Sequence, residues 1–330
     1  MSHRIAISSG DYNGIGPEVI LKCLNKRKSQ NDTVIILSSQ RVIDFYSELL
    51  DIPLPRQNVR TIDEIQPGKV NVLECYDDIN IEPGKLSQKA GKCAMQAVEK
   101  GIELCNTGLA DALVTAPISK EAVNLAGYHI PGHTEFLAEH THTDDFMMML
   151  VNDNLRVGLA SVHIPIADVP QNITEDSITR YLRIMNSSLQ RDFNIARPRI
   201  AVFGLNPHAG DGGIIGKEEQ DIISPAIQKA QELSINVSGP YAADGFFGNK
   251  KYEECDGILA MYHDQGLVPF KALSFGAGVN FTAGLPIVRT SPDHGTAFDI
   301  AGKGKANPSS FEQAFSLARQ LSANRKQKAQ

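Results

Sequence analysis

The 330-residue sequence contains no tryptophan, and aromatic residues make up 6% of it. A surface that stacks nucleic-acid bases needs aromatic rings, so no such platform is expected. Basic residues are not in excess either. Lys and Arg number 32 against 38 Asp and Glu, a net charge of −6. That balance gives no general attraction for nucleic acid or an anionic membrane, and an anionic ligand would need a local basic pocket. No apolar run approaches the ~20 residues of a transmembrane helix. Residues 1–7 enter a strand pattern at once, without the features of a signal peptide. Five cysteines, Cys23, Cys75, Cys93, Cys105 and Cys255, are scattered and form no Cys-x-x-Cys pair. This speaks against a disulfide framework and a zinc ribbon. The expectation is a cytoplasmic protein with no nucleic-acid or membrane partner.

Two glycine signatures are also missing. The loop at residues 9–18 holds Gly10, Gly14 and Gly16 but reads neither Gly-x-Gly-x-x-Gly nor a Walker sequence. A standard Rossmann fingerprint and a P-loop are therefore both absent from it. Pro17-Glu18 suits the first turn of a helix. The glycines fit either a close approach to a ligand or a plain tight turn.

Strand-like and helix-like patterns alternate along the rest. Strands are expected at 4–8, 33–38, 70–73, 111–115, 146–151, 199–205 and 257–261, with another starting at Arg156. Helices are expected at 42–50, 89–106, 119–126, 175–191, 217–233 and 309–321, and from Glu135. Residues 51–69 read as irregular and the polar tail 323–330 as frayed. A helix feeding a strand, as over 89–115, points to a parallel α/β sheet. The Asn152-Asp153-Asn154 turn makes 146–162 a hairpin, so the sheet should be mixed. The length suits two domains or one large α/β unit.

Three apolar runs end alike. Residues 157–162 lead to His163-Ile164-Pro165, residues 200–205 to Asn206-Pro207-His208-Ala209-Gly210, and residues 257–261 to Tyr262-His263-Asp264-Gln265-Gly266. In open α/β sheets, ligands bind outside the carboxyl ends of strands. If the three strands run side by side in one direction, three imidazoles meet at one rim and suit a divalent cation. Separately, each is an ordinary turn or core histidine. Further candidates stand elsewhere. A Pro131-Gly132 turn presents His133 and Thr134 at a helix start, which fits an anion or, for Thr134, a plain N-cap. Asp244-Gly245 reads as an exposed turn. Lys271 follows the His263 strand among apolar neighbours, placed either to meet an anion or to snorkel. Arg289 ends an apolar run and suits bidentate anion binding.

His133-Thr134, His163, the 206–210 and 261–266 segments and Arg289-Thr290-Ser291-Pro292-Asp293-His294-Gly295-Thr296 together resemble the 4-hydroxythreonine-4-phosphate dehydrogenase family of pyridoxal phosphate (vitamin B6) biosynthesis. The resemblance runs from Gly10 to Asn307. Residues 293–307 are also similar to the adenine-binding loop of isocitrate and isopropylmalate dehydrogenases. Two departures stand out: Tyr12-Asn13 where many members carry Pro-Ala, and Gly245-Phe246 after Asp244 where Thr is common.

The resemblance implies two α/β/α domains with mixed sheets and a cleft between them, isocitrate/isopropylmalate dehydrogenase-like. It divides the chain into a cofactor-binding domain, 1–128 plus 280–330, and a metal, substrate and dimerisation domain, 129–279. It implies NAD(P)-dependent oxidation of a phosphorylated hydroxy-amino acid, followed by decarboxylation. His163, His208 and His263 would hold one divalent ion per subunit (zinc, magnesium or cobalt). His133, Thr134, Lys271, Asn280 and Arg289 would bind substrate. Asp293, His294, Gly295 and Asn307 would contact NAD or NADP. Lys271 and Asp244 are the candidates for the catalytic base, and Asp264 for a residue orienting a metal ligand. A homodimer with sites shared between subunits is implied as well. A dehydrogenase of phosphorylated threonate or erythronate is the nearest alternative. A metal-dependent phosphohydrolase or lyase, or a binding sensor without turnover, lies further away.

Overall fold

Runs of Val, Ile and Leu with no exposed face make central parallel strands. Thr33–Ser38 is such a run, with all six residues buried. The computed structural model describes residues 2–26, 31–130 and 132–328. The chain divides into two units, Met1–Thr143 with Leu285–Ala323, and Asp144–Gly284 with Asn324–Gln330.

The first unit holds β1 (Arg4–Ser8), α1 (Gly16–Asn25), β2 (Thr33–Ser38), α2 (Gln40–Leu49), β3 (Gln57–Val59), β4 (Val70–Glu74), α3 (Gln88–Asn106), β5 (Ala112–Thr115), α4 (Lys120–Leu125) and α5 (His133–His140). The chain returns to it for β12 (Arg289–Pro292), and α11 (Ser309–Lys328) begins in it. Its strands run in the order β3-β4-β2-β1-β5-β12, each parallel to its neighbours. β1 lies between β2 and β5, so the winding reverses there. That is the switch point at which loops leaving neighbouring strand ends diverge. Ser87 Oγ caps α3 by accepting from Ala90 N–H, and Ser119 Oγ caps α4 by accepting from Ala122 N–H. α3 lies against β1, β2 and β5. At Gly101 it comes so close that a Cβ would stand 2.5 Å from Leu113 Cδ1.

The second unit holds β6 (Met147–Val151), β7 (Arg156–Leu159), α6 (Val169–Asn172), α7 (Glu175–Arg191), β8 (Ile200–Phe203), α8 (Ser224–Glu232), β9 (Val237–Tyr241), α9 (Ala243–Gly248), β10 (Gly257–Ala260), α10 (His263–Ser274) and β11 (Val279–Ala283). The order is β11-β6-β7-β10-β8-β9. β6 is antiparallel to both neighbours, while β7, β10, β8 and β9 are parallel. The mixed α/β architecture expected from sequence is therefore present. Alternation along β7 and β10 shows the layering. A Cβ on Gly158 or Gly257 would meet Met185 or Leu189 of α7. Val157, Leu159, Ile258 and Ala260 instead join Leu267 and Phe270 of α10 in one core. Helices thus cover both faces.

Several elements differ from the sequence reading. Residues 51–69 include β3 and a 3-10 turn at Ile62–Glu64. Residues 243–248 are helical, so Asp244 stands on α9 and not in a turn. The expected 217–233 helix is a π-helical turn, Glu219–Ile223, followed by α8. α10 was not expected, because Gly266 and Pro269 interrupt its pattern. Gly266 is required there: a Cβ would stand 2.7 Å from Leu159 Cδ2 and 2.9 Å from Val157 Cγ1. Among the described residues no helix is long and apolar enough to cross a membrane.

The tail is ordered helix as far as Lys328 rather than frayed from 323, and residues 329–330 lie outside the described residues. It has an anchor. Asp192, fully buried, accepts from Ser188 Oγ at 2.5 Å, Arg191 Nε at 2.9 Å and Arg325 Nε at 2.6 Å. Asn324 Nδ2 donates to the Asp192 carbonyl at 2.7 Å. Burial pushes the Asp192 pKa up, but Arg325 and Arg191 outweigh burial and hold it below the ordinary aspartate value. A carboxylate lowered in this way adds stability at neutral pH that is lost as pH falls through its folded value. Asp192→Asn should therefore cost about 3 kcal/mol at pH 7 in urea unfolding. The gap to the native protein should close below about pH 4.

Candidate active site

The three strands that precede His163, His208 and His263 are adjacent and parallel, in the order β7-β10-β8. The register pairs Leu259 with Gly158 on one side and Val202 on the other. β7 stops at Leu159 and β8 at Phe203, so His163 and His208 stand a few residues beyond their strands. The His163 and His263 rings lie 6.3 Å apart between centroids. His263 opens α10 and is half-buried. Its Nδ1 is 2.7 Å from Asp264 Oδ1. A carboxylate beside Nδ1 accepts its hydrogen, and in the neutral ring that tautomer presents Nε2 as the acceptor. Asp264 thus orients the imidazole in the way that carboxylates orient metal-binding histidines.

Gln265 ties two strand ends together. Its Oε1 accepts from Met261 N–H at 2.7 Å, and its Nε2 donates to the Gly204 carbonyl at 2.7 Å. Ser161 Oγ donates to the Met261 carbonyl at 2.8 Å.

His208 lies in an unusual turn. His208, Ala209, Gly210, Asp211 and Gly212 all have positive φ, from 43° to 80°. For non-glycine residues that region costs on the order of 1 kcal/mol each. Glu219 holds the turn from below. It is buried and accepts from Asn206 N–H at 2.7 Å and from Asn206 Nδ2 at 2.9 Å. Gly204 and Gly210 make room for it, since a Cβ on either would stand within 3 Å of a Glu219 oxygen. His208 itself is exposed. Among the described residues, no three His, Cys, Asp or Glu side chains come together as a metal-binding group. Within one chain, the donor set is suited to a metal at His163 and His263 but is not completed by His208.

In the first unit a second cluster forms around Arg289. Arg289 opens β12 instead of ending the apolar run, because Gly284, at φ 94°, and Pro286 break that run. Its side chain is 1% exposed. Its Nε and a terminal nitrogen donate to Thr115 Oγ1 at 3.1 and 2.7 Å. Burial lowers the guanidinium pKa, and the Glu135 carboxylate opposes that shift. His133 is the first residue of α5, with Gly132 as N-cap. Thr134 is therefore not the cap. Pro131 lies outside the described residues. Burial holds the His133 pKa well below the ordinary imidazole value, and Arg289 and Lys120 add to this. The imidazole is neutral, and its Nε2 is sealed from solvent without a hydrogen-bond partner. Gly132 leaves room for Glu135, since a Cβ would stand 3.1 Å from Glu135 Oε2. Arg289, His133, Lys120 and Glu135 thus share one electrostatic neighbourhood, whose cations are of the kind that pairs with a phosphoryl group or carboxylate.

The remaining candidates are spread out. Asn280, on β11, has a buried Oδ1 with no partner. Lys271 and Asp244 are exposed on α10 and α9. Asp293 N–H donates to Ser310 Oγ at 3.0 Å. His294 Nδ1 pairs with the Gly295 carbonyl at 3.1 Å, and its buried Nε2 has no partner. Asn307 Oδ1 accepts from Ser309 N–H at 3.0 Å and Ser309 Oγ at 2.7 Å. An unpaired buried imidazole nitrogen in this loop fits a heteroaromatic ligand edge, as a dinucleotide would supply.

The family model for pyridoxal phosphate biosynthetic protein PdxA matches residues 30–318. The chain belongs to that family. It is 46% identical over 325 residues to a 4-hydroxythreonine-4-phosphate dehydrogenase of Bacteroides thetaiotaomicron, covering 98% of this chain and 89% of the relative. It is 40% identical over 337 residues to a Bradyrhizobium diazoefficiens protein with the provisional name D-threonate 4-phosphate dehydrogenase, covering 98% of this chain and 97% of that one. Among solved structures, it is similar to the 4-hydroxythreonine-4-phosphate dehydrogenase of Klebsiella pneumoniae. The TM-score is 0.87 at 36% identity, over 97% of this chain and 100% of that chain.

Sequence reasoning missed Thr115, Lys120 and Glu135 beside Arg289, and Gln265 and Glu219 beneath the histidines. Glu135 had a usable signal, an acid in the first turn right after His133-Thr134. Thr115 had another, its place at a strand's carboxyl end. Asp11, in the glycine-rich loop after β1, is fully buried. Its Oδ1 accepts from Asn13 N–H at 2.9 Å while Oδ2 has no partner. Burial raises its pKa to about 6, against the smaller lowering effect of the Asn13 bond. A carboxyl raised above its unfolded value costs stability at higher pH and costs none below that unfolded value. Asp11→Asn should thus stabilise the protein by about 2 kcal/mol at pH 8. The gain should vanish near pH 4 in melting curves taken across that range.

Proposed function

We propose that this chain is a 4-hydroxythreonine-4-phosphate dehydrogenase. It oxidises 4-phosphooxy-L-threonine with NAD or NADP to 2-amino-3-oxo-4-phosphooxybutanoate, which loses CO2 to give 3-amino-2-oxopropyl phosphate. The observation that carries this reading is the buried Arg289–His133 cluster in a chain that matches dehydrogenases of that name along almost its whole length. The reaction needs a place for a phosphorylated acid in a protein of net charge −6. Arg289 and Lys120 supply positive charge locally, and neutral His133 offers an uncharged partner for a substrate oxygen or hydroxyl. Thr134 and Asn280 are assigned to the substrate as well.

Residues 293–307 are assigned to the nicotinamide dinucleotide, which when bound would supply the acceptor for a hydride from the substrate carbinol carbon. His163, His208 and His263 are assigned to one divalent ion, zinc, magnesium or cobalt, which would polarise a substrate oxygen as a Lewis acid. Two of these histidines approach each other within one chain. A homodimer in which a second copy completes the donor set accounts for the third. The base that takes the hydroxyl proton is Lys271 at Nζ or Asp244 at its carboxylate. The division into a cofactor-binding segment, 1–128 with 280–330, and a metal- and substrate-binding segment, 129–279, belongs to the same proposal. So does a cytoplasmic setting, in keeping with five cysteines that form no disulfide.

One relative favours a second reading. The provisional name of the Bradyrhizobium protein makes D-threonate 4-phosphate the competing substrate. Reduction of NAD and NADP, followed at the absorbance of the reduced cofactor, should be fastest with 4-phosphooxy-L-threonine and abolished by a chelator. Faster turnover of phosphothreonate or phosphoerythronate would transfer the assignment to the alternative. Arg289→Met should raise the KM for the phosphorylated substrate about 100-fold. His208→Ala should abolish metal-dependent turnover with the fold kept. An unchanged KM in the first variant, or retained activity in the second, would overturn the corresponding role.

A further inference from the structure

Two side chains of α1 grip a distant piece of backbone. Glu18 is fully buried in the first turn of the helix. Its Oε1 accepts from Ala306 N–H at 2.8 Å and from Lys22 Nζ at 2.7 Å. The same Lys22 Nζ donates to the Gly304 carbonyl at 2.8 Å and the Ala306 carbonyl at 2.7 Å. An ammonium has three donors, and all three are used here. One ion pair therefore satisfies three backbone groups that lie more than 280 positions along the chain. An exposed pair at this helical spacing contributes a few tenths of a kcal/mol. This one differs, because both charges are turned onto peptide groups, and charge-assisted hydrogen bonds are the strong kind.

The gripped segment has little else to hold it. Residues 303–305 are exposed, and Ala301 and Ala306 are the buried apolar residues of the 301–306 stretch. Gly302 and Gly304 both have φ 71°, a region in which most side chains are strained. α1, by contrast, is secured by its own apolar face of Val19, Ile20, Leu21, Cys23 and Leu24. The helix has this apolar face to hold it, whereas at residues 304–306 the pair is what reaches the loop backbone from α1. Just before the same helix, Ile15 N–H donates to the Thr296 carbonyl at 3.0 Å, further back in the 293–307 stretch.

We infer that Glu18 and Lys22 are positioning residues for the dinucleotide. They fix the 304–307 backbone in the conformation that receives NAD(P), so that affinity for the cofactor is set from α1. This rests on the assignment of residues 293–307 to the cofactor. The clamp acts before any ligand arrives, so it lowers the ordering cost of binding and leaves the chemical step untouched.

The test compares Lys22→Met, Glu18→Gln and Asn307→Ala with the native enzyme. The dissociation constant for NADH is read by fluorescence titration without substrate. Both clamp variants should weaken NADH binding about tenfold or more. They should raise the KM for the oxidised cofactor by a similar factor, with kcat at saturating cofactor and the KM for the phosphorylated substrate changed by less than about twofold. Trypsin should cut the unliganded variants faster after Lys303 and Lys305. Should Glu18→Gln not fold, Lys22→Met alone decides. Unchanged NADH affinity in the clamp variants, with affinity lost in Asn307→Ala, overturns the clamp and keeps the cofactor assignment. Unchanged affinity in all three overturns both.

Discussion

Gln265 accepts from the Met261 N–H and donates to the Gly204 carbonyl, so the chain leaving β10 is fastened to the chain leaving β8. Parallel strands alone bring their carboxyl ends to one side of a sheet. They do not fix where the next few residues go. In the second unit that task falls to a small set of polar side chains working on main-chain groups. Gln265 and Ser161 hold the exit from β10, and Glu219 holds the exit from β8. The glycines follow from this arrangement. Gly204 and Gly210 give way to the Glu219 carboxylate, and Gly266 lets α10 settle on β7. The left-handed run from His208 to Gly212 is then an unfavourable conformation held by its surroundings, as expected where a backbone serves chemistry rather than stability.

The first unit solves a different problem with one residue. Placing a guanidinium where solvent is excluded carries a large desolvation penalty. Arg289 is nevertheless among the largest fully buried side chains of the protein. Thr115 accepts two of its donors, and Glu135 favours its charge. The same positive field, together with burial, keeps His133 uncharged. A protein with a surplus of acids thereby holds a cationic spot whose strength is not diluted by water.

Much of this architecture was legible in the sequence. Period-two and period-3.6 patterns located most strands and helices, and the common ending of three apolar runs pointed to neighbouring strands. What escaped did so for physical reasons. α10 was hidden because Gly266 and Pro269 are poor helix formers, although Gly266 is there for close packing. Little in His208-Ala209 announces a left-handed turn: histidine is enriched there among non-glycine residues, but alanine is not. The apolar run 279–288 hides the interruption at Gly284 and Pro286 that makes Arg289 the start of a strand and not the end of one. Thr134 is the commoner N-cap residue type, but Gly132 takes that place. The partners of Arg289 are separated from it by more than 150 positions, and no local pattern reports such a meeting.

The anchoring of α11 bears on how the chain comes off the ribosome. The second unit includes Asn324–Gln330, and the first includes Leu285–Ala323. Asp192 is made 133 residues before Arg325, one of its partners. Neither unit is complete when its main stretch has been synthesised, so the usual order of folding, N-terminal domain first and C-terminal domain later, is not open to it. Until Arg325 has been made, Asp192 has Arg191 beside it but lacks the second guanidinium that ties it to α11, so the second unit is fastened only after the whole intervening stretch has been synthesised.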